Sequence, residues 1–268
     1  MLFRYYFLRR LILIIPLLLG LSLLTFFIAR VLPGDPVGLA AGPQATQEIK
    51  EALRREFGLD QPLPVQYVTY VLDLFRGDWG QSLYSRRDVS ADIAVYFPAT
   101  LELTITAIVF ATLLGVPAGM ISAIYRSQLP DHITRVLALF FVSFPAFWLA
   151  MIFQLIFGLE LNWFPIGRRL NALATPPEAI TGMYTLDSLL RLDFGTFALS
   201  LQHLILPALV LSFGSLASIT RITRASMLEA LDKDSVRMER ALGIPYRVIV
   251  TKYVLRSALI ATVTIISL

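Results

Sequence analysis

The residues able to carry out chemistry in this chain are few, and their spacing offers no catalytic arrangement. The chain has no cysteine, so it forms neither a disulfide framework nor a thiolate metal site. Its two histidines, His132 and His203, lie far apart in the sequence, which favours structural or interfacial roles. It contains no G-x-x-x-x-G-K-[ST], H-E-x-x-H or G-x-S-x-G sequence. We therefore expect no catalytic residue and no cofactor, and we expect any energy that the protein uses to come from outside the chain.

One polar, strongly basic stretch, Met227–Arg256, lies between two apolar runs and contains signals for a short helix. Asp234 and Ser235 are favourable N-cap residues because their side chains accept hydrogen bonds from free backbone N–H groups. Gly243 is favourable just after a helix C-terminus, where the chain often adopts a left-handed conformation. Pro245 is favourable at the start of another helix. The stretch therefore predicts a helix, a break and a second helix.

The short helix predicted between these signals has two different faces. One face is apolar, with residues at positions i, i+3 and i+4, namely Met238, Ala241 and Leu242. The neighbouring face carries Arg237 and Arg240. Such a helix between two membrane spans is suited to enter a groove on another protein. The alternative interpretation is an ordinary solvated loop with an interfacial helix, and the spacing alone does not decide between them.

The composition makes the lipid bilayer the expected solvent. The chain is 56% hydrophobic and 16% charged, and its mean hydropathy is +0.69, which is more apolar surface than a soluble core can bury. The basic residues lie beside apolar runs, which indicates the positive-inside pattern rather than nucleic-acid binding. The apolar runs predict four spans and the beginning of a fifth, at residues 11–29, 101–124, 136–159, 203–218 and 258–268.

The N-terminal third of the chain is predicted to hold one span and one lobe outside the membrane. Residues 1–10 carry three arginines, and the apolar run that follows has no small-x-small cleavage site, so we expect an uncleaved span rather than a signal peptide. Residues 30–96 are polar but contain apolar residues at helical spacing. They predict a turn and two helices that end at glycines, at Leu32–Pro36, 46–57 with Gly58, and 66–75 with Gly77.

Several predicted spans carry residues that favour close packing or open the helix locally. Gly115 and Gly119 form a G-x-x-x-G pair around Pro117, which allows another helix to approach closely. Pro145 and Pro207 lie within apolar runs, where a proline interrupts the backbone hydrogen-bond ladder and the freed carbonyl needs a partner from a neighbour or a cavity. We therefore predict that these five residues shape the packing between helices.

Glu102 is the one Asp, Glu, Lys or Arg residue within the predicted spans. Its position near the start of span 101–124 favours a role in the first helical turn, where a carboxylate suits the helix dipole. The alternative is a carboxylate that lines a transport path. A proton- or voltage-coupled carrier normally places charge near the middle of the membrane, so this scarcity of charge argues against such a carrier.

The distribution of charge predicts the orientation in the membrane. With the N-terminus inside, the inner segments 1–10, 125–135 and 219–256 hold 13 Lys and Arg residues. The outer segments 30–96 and 160–202 hold 10, spread over far more residues. The positive-inside rule therefore places the N-terminus and the basic stretch 227–256 in the cytoplasm.

Distinctive motifs occur in order along the chain. The N-terminal RYYFLRRLILIIPLLLGLSLLTFFIARVLPGDP is followed by FGLDQPLPVQYVTYVLDLFRGDWGQS, and then by FPATLELT and LPDHITRVLALFFVSFPAFWLA. TGMYTLDSLL (Thr181–Leu190) and HLILPALVL complete the series. Together these motifs resemble the first span, the outer loops and the later spans of the binding-protein-dependent ABC importer permeases, in the dipeptide, oligopeptide and nickel group. The resemblance covers nearly the whole chain.

In that family the cytoplasmic segment carries the EAA motif, whose hallmark is a glycine after a short helix. Gly243 matches this glycine, and Asp234, Val236, Arg240 and Ala241 match the peptide-permease version. The resemblance implies that this helix docks in a groove of the ATP-hydrolysing subunit and transmits its closure to the spans.

The chain departs from the family pattern at a few positions. Glu239 replaces a usual small residue, Ser235 a common aromatic residue and Ala261 a usual proline. The family also continues through the rest of the fifth span and a sixth, so we expect this chain to be a truncated product or a fragment.

The resemblance implies an all-α polytopic membrane protein with the type I ABC importer transmembrane fold over residues 97–268, located in the bacterial inner membrane. The implied partners are ATPase subunits, a second homologous permease, a periplasmic or lipid-anchored solute-binding protein and the lipid bilayer, and no nucleic acid. The solute is a peptide or, alternatively, nickel. Other interpretations are an ATP-independent channel or secondary carrier, and a membrane-anchored assembly protein.

Overall fold

A computed structural model describes residues 2–31, 36–42, 45–56, 58–82 and 84–266. Within these ranges the regular structure is helical, apart from an isolated antiparallel bridge between Gln81 and Asp88. The prediction of an all-α membrane protein is therefore confirmed. The turn predicted at Leu32–Pro36 lies almost wholly outside the described residues. The chain divides into two units, residues 1–95 and 96–268, and the boundary falls within one long helix.

The described residues of the first unit form four complete helices, α1 (Leu2–Val31), α2 (Pro36–Ala41), α3 (Gln47–Glu56) and α4 (Leu63–Arg76). Among the described side chains of α1 only Phe26 is buried, and the long apolar side chains of this helix are exposed on all sides. Phe26 packs on α4, with ring centroids 5.4 Å from Tyr67 and 6.0 Å from Tyr70. A helix that is apolar all round and lacks a protein cover is typical of a membrane span.

The two helices predicted for the lobe are α3 and α4; α4 ends next to the predicted Gly77, and α3 ends two residues before the predicted Gly58. Gly58 has φ +61° and Gly77 has φ +85°, a left-handed conformation that glycine adopts without steric cost. The N–H of Gly77 donates to the carbonyl of Leu74 at 3.2 Å and so caps α4. The prediction that glycines terminate these two helices is therefore confirmed.

The second unit is built around two long helices. α5 (Val89–Ile124) begins before the unit boundary and continues into this unit, and α9 (Phe194–Leu231) spans 38 residues, or about 57 Å at about 1.5 Å per residue. The remaining helices are α6 (Leu129–Ser143), α7 (Ala146–Phe153), α8 (Tyr184–Leu190), α10 (Asp234–Ala241), α11 (Tyr246–Val248) and α12 (Leu255–Ile266). π-helical segments extend α7 over Gln154–Glu160 and join α11 to α12 over Ile249–Val254.

By length and composition, four helices of the described chain can cross a bilayer. They contain Tyr5–Ile28, Val89–Ile124, Phe194–Leu231 and Tyr246–Ile266, and the bent pair Leu129–Ser143 and Ala146–Glu160 makes a fifth candidate. The helices that contain the runs 101–124 and 203–218 and the described part of the run 258–268 begin earlier than those runs. Hydropathy detects apolar side chains, whereas helical hydrogen bonding continues through polar turns.

The bend in the predicted third span lies at Pro145. The helical segments Leu129–Ser143 and Ala146–Glu160 are bent by 102° relative to each other. Proline lacks an N–H group and disfavours helical geometry in the residue before it, so α6 ends at Ser143 and Phe144 is extended. Phe213 of α9 packs against the helices on both sides of the bend. The centroid of its ring lies 4.1 Å from that of Phe141, on which it stacks, and 5.6 Å from that of Phe153.

Candidate functional site

The short helix predicted in the basic stretch is α10. Its N-cap residue is Lys233, and no side chain caps the helix, so the prediction of an Asp234 or Ser235 cap is wrong. Asp234 is instead the first helical residue, where its carboxylate still suits the helix dipole and accepts from Arg237 at 3.1 Å. Packing explains the shift, since this register directs Val236, 4% exposed, into the protein interior.

The C-terminus of α10 forms the predicted glycine cap. Gly243 has φ +76°, and its N–H donates to the carbonyl of Arg240 at 3.0 Å. The N–H of Ile244 donates to the carbonyl of Glu239 at 3.2 Å, which completes a Schellman motif. Pro245 then precedes α11, and the chain turns into the next long helical segment.

The two faces of α10 have opposite environments. Val236 joins a buried cluster from the end of α9 and the neighbouring helices, including Ala123, Met227, Ala230, Ile249, Val250, Val254 and Ala258. Met238 is 63% exposed and Leu242 is 69% exposed, and Ala241 and the two arginines, Arg237 and Arg240, are also exposed. The helix is thus anchored by one buried valine and presents a small apolar face flanked by positive charge, which is suited to bind another protein.

A buried ion pair holds the α5–α6 turn against α9 near α10. Asp131 is 1% exposed and accepts from Nε and Nη2 of Arg224, each at 2.8 Å. Ser122 Oγ and the N–H of Ser127 also donate to this carboxylate, at 2.6 and 2.9 Å. The sequence-based bounds had placed both charged residues outside the spans, whereas the structure places them on α6 and α9.

The predicted G-x-x-x-G pair lies where α5 crosses α9. A methyl group added at Gly119 would lie 2.6 Å from the carbonyl oxygen of Thr220, and one added at Gly115 would lie 3.0 Å from the side chain of Ile219. Thr220 Oγ1 donates to the carbonyl of Gly115 at 3.3 Å. The absence of side chains therefore allows direct backbone contact between the helices.

The three prolines grouped with this pair have different surroundings. Pro117 and Pro207 lie inside α5 and α9, which both continue past them. Pro145 separates α6 from α7. Pro207 also lines two adjoining cavities in the second unit.

We expect Gly119→Ala to destabilise the protein by about 1–3 kcal/mol, because the new methyl group would force the backbones of α5 and α9 apart. The measurement is equilibrium unfolding in mixed detergent micelles, followed by circular dichroism. Gly214→Ala is the matched control, since nothing lies within 4 Å of a methyl group at that helical position. Equal losses in the two variants would contradict the close-approach explanation.

Glu102 occupies a different position from the predicted one. Because α5 begins at Val89, Glu102 lies far from the first turn, and the prediction of a role at the helix start is wrong. The side chain is 6% exposed and accepts from Arg169 Nη2 and from Thr185 N and Oγ1, each at 2.6 Å. The guanidinium of Arg169 also lies over the ring of Tyr184, 3.6 Å from its centroid. This network ties α5 to the loop before α9.

A second buried carboxylate shapes the same loop. Asp187 is fully buried and accepts from Thr181 Oγ1 and from the N–H groups of Ile180, Thr181 and Gly182. Burial raises the pKa of Asp187, but these hydrogen bonds outweigh that effect and lower the pKa below its ordinary value. The carboxylate therefore stabilises the fold above its ordinary pKa, and this contribution is lost only as the pH falls through the lowered value.

Sequence reasoning missed the partners of these carboxylates. Glu102 and Thr185 are 83 positions apart, and Asp131 and Arg224 are 93 apart. No local spacing rule links residues at such distances. The one available signal was the TGMYTLDSLL motif, which contains Thr181, Thr185 and Asp187.

Comparison with known proteins agrees with this architecture. Residues 115–268 match the family described as "Binding-protein-dependent transport system inner membrane component". Residues 2–104 match the family that covers the N-terminal part of such membrane components. The chain is 44% identical over 249 residues to a probable D,D-dipeptide transport system permease protein of Escherichia coli, covering 93% of this chain and 73% of that protein.

Two further relatives extend the comparison. A dipeptide transport system permease protein of Alkalihalophilus pseudofirmus is 40% identical, over 98% of this chain and 79% of its own length. A glutathione transport system permease protein of Escherichia coli is 38% identical, over 98% of this chain and 76% of its own length. The chain belongs to the binding-protein-dependent transport system inner membrane components, and it is a multi-pass permease subunit of an ATP-binding-cassette transporter.

Proposed function

We propose that this permease belongs to a bacterial importer for peptides or a related small solute. Its relatives are named for transport of a D,D-dipeptide, of dipeptides and of glutathione, which are all short chains of linked amino acids. The family description supports a periplasmic or lipid-anchored solute-binding protein as one partner. ATP hydrolysis takes place in separate ATPase subunits, and a second homologous permease completes the transport path.

The N-terminus and α10 lie on the cytoplasmic side of the inner membrane, and residues 30–96 form a periplasmic lobe. The excess of Lys and Arg over Asp and Glu in the short inner segments supports this orientation. Residues 97–268 supply the transmembrane domain of the importer.

In this proposal α10 docks in a groove of an ATPase subunit. The observation that carries it is the exposure of Met238 and Leu242 on a helix whose opposite side is held by the buried Val236. Exposed apolar side chains of this size on an extramembrane helix mark a surface that another protein covers. The flanking arginines, Arg237 and Arg240, add hydrogen-bond donors for acidic or carbonyl groups at the rim.

Closure of the ATPase subunits on ATP moves α10 and, through its buried anchor, the end of α9. The permease then switches between outward-open and inward-open states, and ATP biases this equilibrium through different affinities of the two states.

The test is co-purification of the ATPase subunit with the permease after substitutions in α10 or its cap. Gly243→Pro, Arg240→Glu and Leu242→Glu should each reduce recovery of the ATPase about tenfold, because removal of a central interface contact costs about 2 kcal/mol or more. Proline cannot adopt the φ of +76° at position 243 and lacks the N–H that donates to Arg240.

Leu173→Glu is the matched control, since Leu173 is fully exposed in a different loop. It should leave recovery of the ATPase unchanged. Wild-type recovery in all three α10 variants would overturn the docking proposal. Uptake of a labelled tripeptide by the reconstituted complex, in the presence of its binding protein and ATP, tests the solute class.

A further inference from the structure

The second unit contains a cavity of about 290 Å³. Its lining residues include none of α10 and neither Gly115 nor Gly119, so the cavity plays no part in the proposed docking or in the close contact of α5 with α9. Its wall is mostly apolar, with Leu103 of α5 and Leu204 and Pro207 of α9 among the lining residues. A second cavity of about 90 Å³ adjoins it and shares Arg168, His203 and Pro207. Ligand sites typically combine such apolar walls with a few well-placed polar groups.

His203 provides a hydrogen-bond acceptor in this wall. The side chain is 6% exposed, and its Nδ1 lies 2.8 Å from the carbonyl oxygen of Leu199. A carbonyl only accepts, so Nδ1 donates to Leu199, and in the tautomer with its single proton on Nδ1 the other ring nitrogen, Nε2, is an acceptor. Nε2 has no hydrogen-bond partner among the residues that the structure describes. An unpartnered acceptor in the wall of a cavity is suited to receive a hydrogen bond from a ligand.

Arg168 provides an unpaired positive charge at the same cavity. The neighbouring Arg169 is already occupied, because it pairs with Glu102 and donates to the carbonyl of Gly182 at 2.9 Å. Arg168 is an exposed residue that lines the cavity, and it makes no hydrogen bond or ion pair within the described part of the chain. Its φ is +59°, a left-handed value that non-glycine residues rarely adopt and that often occurs at ligand-binding positions. With Glu102 neutralised by Arg169, Arg168 leaves the cavity with one net positive charge.

We propose that this cavity holds the C-terminal residue of a transported peptide, an inference that rests on peptides being the solute. A C-terminal residue carries an amide N–H, an apolar or small side chain and a carboxylate on one carbon. The N–H donates to Nε2 of His203, the carboxylate pairs with Arg168, and the side chain packs between Leu103, Leu204 and Pro207. The volume of about 290 Å³ suits one such residue rather than a whole oligopeptide.

The cavity is also connected to the proposed ATPase-docking helix by a single element. His203 lies near the start of α9, and the same helix continues to Leu231, just before α10. A peptide in the cavity would therefore contact the same helix that leads to α10, which gives the permease its own contact with the solute in addition to that of the binding protein.

The test is direct peptide binding to the full transporter complex, purified without its binding protein so that capture by that protein does not contribute. Radiolabelled trialanine is the probe, and unlabelled trialanine and trialanine amide are the competitors. In the wild type the amide should compete about tenfold more weakly than the free acid, since the charge-assisted pair between the carboxylate and Arg168 is lost, a difference of about 1.4 kcal/mol. Arg168→Gln should weaken trialanine binding about tenfold and should remove the difference between acid and amide.

Arg191→Gln is the matched control, because Arg191 also lies outside the candidate spans and pairs instead with Glu178. It should bind trialanine like the wild type. Equal competition by the amide and the free acid in the wild type, or unchanged binding in Arg168→Gln, would overturn the inference. A complex that takes up peptides with its binding protein and ATP but gives either of these results contradicts the cavity assignment alone. A complex that takes up no peptide contradicts the proposed function itself.

Discussion

Replacing Asp131 with asparagine is expected to lower the free energy of unfolding by about 3 kcal/mol, near the lower end of the range for breaking a buried ion pair. The carboxylate is 1% exposed and accepts four hydrogen bonds, two of them from Arg224. Asparagine has one acceptor oxygen and directs an N–H group toward one of these donors. Arg224 is 23% exposed, so its guanidinium keeps some contact with solvent, and the loss therefore stays near that lower end.

This prediction is checked by equilibrium unfolding in mixed micelles, with Asp234→Asn as the control. Asp234 is 94% exposed and also pairs with an arginine, at 3.1 Å, so the control removes the same charge from a solvated pair. The control should change stability by less than about 1 kcal/mol. A small effect of Asp131→Asn, equal to that of the control, would show that the buried pair does not stabilise the turn between α5 and α6.

Replacing Glu102 with glutamine is expected to cost about 2–3 kcal/mol, because it removes the charge that compensates Arg169 in a mostly buried site. Glutamine can still accept from Thr185 through its oxygen, but its amide nitrogen then faces the donor Nη2 of Arg169. Helix α8, which begins at Tyr184 and contains Thr185, and the segment before it should loosen as a result. Increased proteolysis within residues 170–190 reports that change, and equilibrium unfolding reports the stability.

The chain offers a closely matched control for this variant. Glu178 pairs with Arg191 at 2.6 Å, the same distance as in the Glu102–Arg169 pair, but Glu178 is 81% exposed. Glu178→Gln should therefore change stability by less than about 1 kcal/mol. In the Glu102→Gln background, Arg169→Gln should recover part of the loss, since two carboxamides can bond to each other. If the two Glu→Gln variants had equal effects, burial would not be the cause of the predicted loss.

The exposed and buried faces of α10 show how far local patterns extend. The spacing of Met238, Ala241 and Leu242 predicted an apolar face, and the structure leaves that face exposed. The N-cap was assigned to Asp234 or Ser235 from propensity, whereas burial of Val236 sets the register and leaves Lys233 at the N-cap. Propensity describes a helix in isolation, and packing of one side chain into a core is worth more than a capping bond.

The sequence by itself determined the all-helical membrane class and the glycine-terminated helices at Gly77 and Gly243, and it indicated that Pro145 interrupts the backbone hydrogen-bond ladder of the third span. Each follows from the chemistry of one residue and its neighbours, such as the tolerance of glycine for positive φ or the missing N–H of proline. Only the tertiary structure decided where the long helices begin, which carboxylates are buried and with which arginines they pair. Those pairs join residues 67 and 93 positions apart, and they form because a charge that enters a low-dielectric interior requires a partner, wherever in the chain that partner lies.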